Sequence, residues 1–308
     1  MLYFLSRRTN NNTGQFYRHF PPHYLTKLTT KPLNGATAYI TGVDRETLYI
    51  GYSNTPFTFS HYQWDKNQIK TDSIDIKSPR PIAWKALKSQ CFNNKLYFFE
   101  GITPNIFEHD LDTKKIIRTN FGNTPFTNLL AVSPSHFLLK TYAPELKQQV
   151  IANFTLPSKK LDIPSINLVK QIDGFFCTDG ELKFNKANNL VLYTYRYRNE
   201  FLVFDSNLKL LSVQNTIDSN AKAKLHVESI KDQGKETLKL ASPPYIVNKK
   251  TYTNDNWLFV NSNIISKNES SESFNSKSVI DIYDLKSGNY KYSFYIPAYK
   301  GSKMKDFA

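Results

Sequence analysis

Apolar residues in this chain recur mainly with a period of two, in short runs closed by Asn, Asp, Lys, Ser or Pro. That alternation suits half-buried strands, because successive side chains leave a strand on opposite faces. One unit returns along the sequence: an aromatic or aliphatic strand, a polar turn, a second strand, a tight Lys/Asn/Ser turn and a third strand. The copies open at Thr47–Ile50, Lys95–Phe99, His136–Lys140, Leu190–Tyr193 and Trp257–Val260. Their second strands are Phe57–Asp65, Asn105–Asp110, Val150–Thr155, Phe201–Asp205 and Val279–Asp284, and their third strands begin at Ile69, Ile116, Leu161, Leu208 and Tyr290. A further β-rich run precedes each copy: Thr37–Ile40, Leu87–Phe92, Asn128–Val132, Leu182–Phe184 and Tyr245–Val247. Each unit therefore holds four strands.

The units recur every 40 to 70 residues or so, the period of propeller blades with loop inserts. Phe16–Phe20 adds a short alternating strand, and Met304–Ala308 reads as the opening of one more blade. The expectation is an all-β fold, a β-propeller of about six four-stranded blades, the last incomplete or closed by the N-terminal strand. Residues 1–15 are expected to form a flexible N-terminal segment and residues 16–308 a single propeller domain. Two inserts flank the fifth unit. Ile217–Pro244 is expected to hold a helical turn or an extended hairpin, and the polar Ser262–Ser278 to be mobile.

Composition narrows the picture. The 308 residues include 22 Phe and 19 Tyr, a bias toward strands. The formal charge of +14 favours anionic partners. The lysines are scattered and no nucleic-acid motif is present, so the charge reads first as a solvated surface and nucleic acid as an unlikely partner. Cys91 and Cys177 sit in aromatic runs and are expected to be buried free thiols. No apolar run is long enough to span a membrane as a helix. Met1–Arg8 reads either as the last apolar turn of an export segment or anchor with its basic flank, the upstream part lost, or as an ordinary first strand.

Glycine-rich phosphate loops, His-Glu-x-x-His, Cys-x-x-Cys and Gly-x-Ser-x-Gly are all missing, and the chain has only 11 glycines with which to build a phosphate cradle. The histidines (His19, His23, His61, His109, His136 and His226) do not form a recognisable ligand set, and His61 and His109 are expected near the outer region of their blades. Asp65, Asp112, Asp205 and Asp284 read as turn-capping residues of separate blades. Asp179-Gly180-Glu181 opens a unit with two carboxylates that would share a strand face, either as an acid–base or cation-holding pair or as a simple turn. In Tyr193–Arg198, a strand continued to its end would place Arg196 and Arg198 on one face, with Tyr197 on the other. Arg80-Pro-Ile-Ala-Trp84-Lys85 lies on a connection between blades, on the same ring face by this register. Arginine among aromatic residues suits carboxylate, phosphate or sugar-acid recognition. The candidate ligand-binding residues are thus Arg80, Trp84, Lys85, Asp179, Glu181, Arg196, Tyr197 and Arg198, with no catalytic residue, metal or cofactor assigned.

The strand-end steps Phe204-Asp205 and Tyr283-Asp284-Leu285, with the turns that follow, resemble uncharacterised six-bladed propellers of the TolB-like and NHL-like groups, over roughly residues 36–308. The resemblance implies a ring fold and an extracytoplasmic setting, and it carries over no metal ligand of an NHL-type lyase or gluconolactonase-type hydrolase. The expected function is a non-catalytic binding scaffold for a protein or acidic glycan, monomeric and in the periplasm or cell envelope, with a cytoplasmic location as the alternative. The second reading is a metal-assisted hydrolase or lyase with an axial site.

Overall fold

The structure, a computed structural model, describes residues 14–22, 25–33, 37–78, 81–120, 123–156, 158–165, 167–232 and 235–308. Five four-stranded antiparallel meanders follow one another along the chain. Blade 1 comprises β1 (Ala38–Asp44), β2 (Thr47–Tyr52), β3 (Thr58–Gln63) and β4 (Gln68–Ser73). Blade 2 comprises β5 (Lys88–Phe92), β6 (Lys95–Glu100), β7 (Asn105–Asp110) and β8 (Ile116–Asn120). Blade 3 holds β9 (Asn128–Ser133), β10 (His136–Ala143), β11 (Gln148–Thr155) and β12 (Lys160–Asp162). Blade 4 holds β13 (Gly180–Asn185), β14 (Leu190–Tyr195), β15 (Glu200–Asp205) and β16 (Leu210–Asn215). A separate hairpin, β17 (Val227–Asp232) and β18 (Lys235–Leu240), precedes blade 5, which is β19 (Asn248–Asn254), β20 (Trp257–Ser262), β21 (Lys277–Asp284) and β22 (Tyr290–Pro297).

The described residues thus hold five blades, where the spacing and the two chain ends pointed to about six. Among the described residues neither end supplies a blade strand. Residues 14–20 run along blade 5 through scattered bonds: Gly14 N–H donates to the Ile265 carbonyl (2.7 Å), Lys267 N–H to that of Phe16 (2.9 Å) and Ser293 N–H to that of His19 (2.8 Å). The last residues turn at Tyr299–Ser302 and pass into the axial channel. Residues 1–13, with the Met1–Arg8 reading, and His23 lie outside the described residues.

The blades cohere because each buries an apolar face on the next. Phe59, Leu96, Phe98 and Phe107 pack between blades 1 and 2; Tyr97, Phe99, Phe137 and Leu139 between blades 2 and 3. Leu138, Ile151, Val191 and Tyr193 fill the join of blades 3 and 4, and Leu192, Phe201, Leu258 and Tyr283 that of blades 4 and 5. Side-chain bonds at the inner strands repeat the pattern: Tyr39 Oη with Ser89 Oγ (3.0 Å), Ala131 N–H to Gln90 Oε1 (2.9 Å), and Asn185 Nδ2 to Thr253 Oγ1 (2.8 Å).

Both inserts are structured. Ile217–Pro244 carries the hairpin alternative. Ser262–Ser278 contains a short helix, α1 (Ser271–Ser276), whose first turn is capped by Ser270, accepting from Ser273 N–H (3.1 Å). Arg18 anchors the same insert. It is buried over the Phe16 ring and pairs with Asp281 (2.7 and 2.9 Å), with Glu269, and with the Ile264 carbonyl (2.8 Å). Asp205 and Asp284 cap their turns as expected, accepting from Asn207 and Ser287 N–H. In blade 2 the cap is Asp110, which accepts from Thr113 N–H (2.8 Å), while Asp112 instead accepts from Asn94 Nδ2 (2.6 Å).

Candidate binding site at the axial channel

The inner strands β1, β5, β9, β13 and β19 surround a channel of about 840 Å³. One ring face carries the connections between blades and the β2–β3, β6–β7, β10–β11, β14–β15 and β20–β21 loops. These pieces touch closely: Phe126 N–H donates to the Gly101 carbonyl, and Gln149 N–H to that of Gly174. A Cβ on Gly101 would stand 1.8 Å from the Phe126 carbonyl oxygen, and one on Gly174 1.9 Å from that of Lys147.

Asp179 and Glu181 lie on this face, where the connection from blade 3 becomes β13. Arg196, just past the end of β14, joins them: its Nε donates to Asp179 Oδ2 at 2.8 Å, and its Nη2 lies 3.4 Å from Glu181 Oε1. Lys140 arrives from blade 3 and donates to Asp179 Oδ1 at 2.7 Å. Lys250 from blade 5 and Lys183 from β13 approach the Glu181 carboxylate at 3.4 and 3.6 Å. Arg196 also donates to the carbonyl of Lys249, at 3.3 Å. Two carboxylates are therefore shared among four cations from three blades.

Burial weakens ionisation of Asp179, but Lys140 and then Arg196 more than offset it and hold the carboxyl below its usual range. Burial pulls the Lys140 ammonium down, and Asp179 opposes that shift. The Arg196 guanidinium loses by burial and gains more from Asp179 and Glu181. An engaged, acidic Asp179 is a poor proton donor near neutral pH. Each ammonium carries three donors, and Glu181 cannot saturate both Lys183 and Lys250. Lys249 is depressed by burial alone. The mouth of the channel thus holds surplus positive charge with unused donors. Farther along the channel, Arg45, Lys88 and Lys186 face Asp44 and Asp306 among the side chains of Tyr39, Phe92, Phe184 and Tyr252.

The remaining candidates lie elsewhere. Arg80 is outside the described residues. Trp84 and Lys85 form a single 3-10 turn, Trp84–Ala86, on the connection between blades 1 and 2, with the half-exposed Trp84 edge-on to Phe57 (4.4 Å). Because β14 stops at Tyr195, the two arginines do not continue one strand face. Arg198 turns inward, lies over the Tyr195 ring (3.4 Å) and bonds to Glu200 (2.8 Å) and the Val169 carbonyl (2.9 Å). Tyr197 packs with Cys177, Ala223 and Leu225. Sequence reasoning did not single out Lys140, Lys183, Lys249 or Lys250. Lys140 had a usable signal, a charge inside the apolar run Phe137-Leu-Leu-Lys-Thr141.

A second cleft, about 610 Å³, opens between blades 1 and 2 on the opposite face. His61 lines it, 3.4 Å from Asp72. Phe59 neighbours both His61 and the buried His109, at ring distances of 6.4 and 6.0 Å, so these histidines, each on the third strand of its blade, face the join of blades 1 and 2. Among the described residues no group of three His, Cys, Asp or Glu stands close enough to share a metal ion, and no helix is long and apolar enough to cross a membrane. Cys91 and Cys177 are free and buried.

No protein-family profile and no curated protein matches this sequence. Solved structures do match in fold. A member of the DUF4221 family from Bacteroides vulgatus is similar over 93% of this chain and 88% of its own, with a TM-score of 0.50 and 12% identity. A streptogramin B lyase structure is similar over 90% of this chain and 88% of its own (TM-score 0.44, 10% identity), and a nidogen/laminin complex over 84% and 79% (TM-score 0.46, 8% identity). At these identities the first likeness speaks for the fold alone, and the chain is a β-propeller.

Proposed function

We propose that this propeller is a non-catalytic binding scaffold that takes an acidic glycan at the mouth of its axial channel, in the cell envelope. The observation that carries the reading is the set of Lys183, Lys250 and Arg196 gathered around the single carboxylate of Glu181. Positive side chains held in place by a rigid ring favour a carboxylated ligand, because the charges are positioned before it arrives. Tyr39 and Tyr252 supply flat apolar surface in the same channel, which suits sugar rings. The alternative of a metal-assisted hydrolase or lyase needs converging ligands, and the geometry gathers cations here instead.

Calorimetric titration with oligogalacturonate tests the reading. Lys183→Ala/Lys250→Ala is expected to weaken binding about tenfold or more, and a neutral oligosaccharide of equal length is expected not to bind. Equal affinity for the charged and neutral sugars would end the glycan reading. Retention of an acidic protein alone would favour the protein ligand.

A further inference from the structure

Blades 1 and 5 meet differently from every other pair. Inner strand β1 packs on β5, β5 on β9, β9 on β13 and β13 on β19, while β19 makes no comparable contact with β1. Among the described residues no buried apolar cluster joins blade 5 to blade 1. Residues 306–308 line the channel, and two of them bridge this seam. Asp306 Oδ2 accepts a hydrogen bond from the Ile40 N–H of β1 at 3.0 Å, and Phe307 sets its ring edge-on to Tyr252 of β19, centroids 6.4 Å apart.

The receiving side can pair with an extended segment. β1 is the free inner edge of its sheet, and such an edge presents donors and acceptors that another chain can satisfy. Ile40 stands just before the bulge at Ile40/Gly42, where the pairing of β1 with β2 shifts register. Next to it, Thr41 lines the channel; it is 7% exposed and its hydroxyl has no hydrogen-bond partner among the described residues. A buried hydroxyl without a partner is costly, so the channel offers a bond that Asp306 and Phe307 leave unused.

We propose that the seam between β1 and β19 is a peptide slot for an extended segment in which Asp precedes an aromatic residue, and that Asp306-Phe307 of this chain fills it as a displaceable latch. The Ile40 amide reads the carboxylate, the Tyr252 ring reads the aromatic side chain, and Thr41 supplies a further bond to a better-fitting segment. The slot lies in the same channel as the Lys183–Lys250 mouth and shares Tyr252 with it, but the peptide reading does not depend on the glycan reading.

The probe is a fluorescein-labelled, C-terminally amidated hexapeptide of sequence Lys-Met-Lys-Asp-Phe-Ala, followed by anisotropy against the full chain and its Asp306→Ala/Phe307→Ala variant. The variant is expected to bind the peptide saturably, and the unaltered chain at least tenfold more weakly, because its own segment competes at high effective concentration. A peptide with Asn for Asp and Ala for Phe is expected not to bind the variant. Equal affinity for chain and variant, or no binding to a variant that keeps its β circular-dichroism spectrum, overturns the proposal. A second measurement needs no variant: hydrogen exchange at the Ile40 amide is expected to be slow in the unaltered chain, and rapid exchange there overturns the latch. Oligogalacturonate titration of the same variant reports separately on the mouth.

Discussion

Arg18 ties the N-terminal segment to blade 5 through buried ion pairs, and replacing it with Met tests what they contribute to stability. Arg18 is 3% exposed, and its guanidinium donates to two carboxylates and a main-chain carbonyl. Met keeps much of the stem volume against Phe16 and removes every donor. Asp281 then keeps only its bond from Ser293 Oγ (2.6 Å), and Glu269 its bonds from Ser266 N–H and Tyr295 Oη. Removing one partner of a buried ion pair leaves a charge without compensation and costs about 3–5 kcal/mol. In a protein of this size that corresponds to a fall in Tm of roughly 5–8 °C. Urea denaturation followed by circular dichroism reads the loss as a lower midpoint. Adding Asp281→Asn to Arg18→Met is expected to recover part of it, since the stranded charge disappears. A loss below about 1 kcal/mol, or a double variant no better than the single, would refute the reasoning that buried charge, and not packing, governs this contact.

Three further outcomes follow from the geometry. Asp179→Asn deprives the buried Lys140 of its partner, and because Asp179 itself reaches solvent the expected cost is roughly 1–3 kcal/mol in chemical denaturation. Gly101→Ala forces a Cβ onto the Phe126 carbonyl oxygen and is expected to destabilise by about 1–3 kcal/mol or more, read as a lower melting temperature. His61 and His109 are both held below the ordinary histidine range, first by burial, with Lys114 adding to the shift and Asp72 opposing it. The unfolded chain then takes up protons first as pH falls, so stability is level above about pH 6.5 and declines below it; a denaturation midpoint unchanged between pH 7 and 5, or a slope that His109→Phe leaves unaltered, would contradict this.

Four blades could be read almost strand for strand, because their inner and middle strands alternate strongly. The inner strand of blade 5 was placed at Tyr245–Val247 but runs from Asn248 to Asn254. Its sequence, Asn-Lys-Lys-Thr-Tyr-Thr-Asn, is polar because one side faces the channel, and no apolar alternation marks it. The blade count failed for a similar reason: Phe16–Phe20 and Met304–Ala308 look like strands, and one lies along blade 5 while the other continues into the channel. At the site, Asp179-Gly-Glu181 and Arg196 could be found as a charge pattern. Lys250 and Lys140 reach the same point from other blades, and that convergence is a property of ring closure that linear spacing does not record. Arg198 was misleading because its register depended on a strand that ends three residues earlier.

Every blade pairs strands that are neighbours in sequence, so each can form from a short stretch of chain. Contacts between the two ends of the chain differ; among them Arg18 meets Asp281 across 263 positions and Ile40 meets Asp306 across 266. The entropy of joining such distant points must be met before those bonds form. Refolding should therefore resolve into rapid sheet assembly and a later cyclisation, with the Ile40 amide among the last to gain protection from exchange.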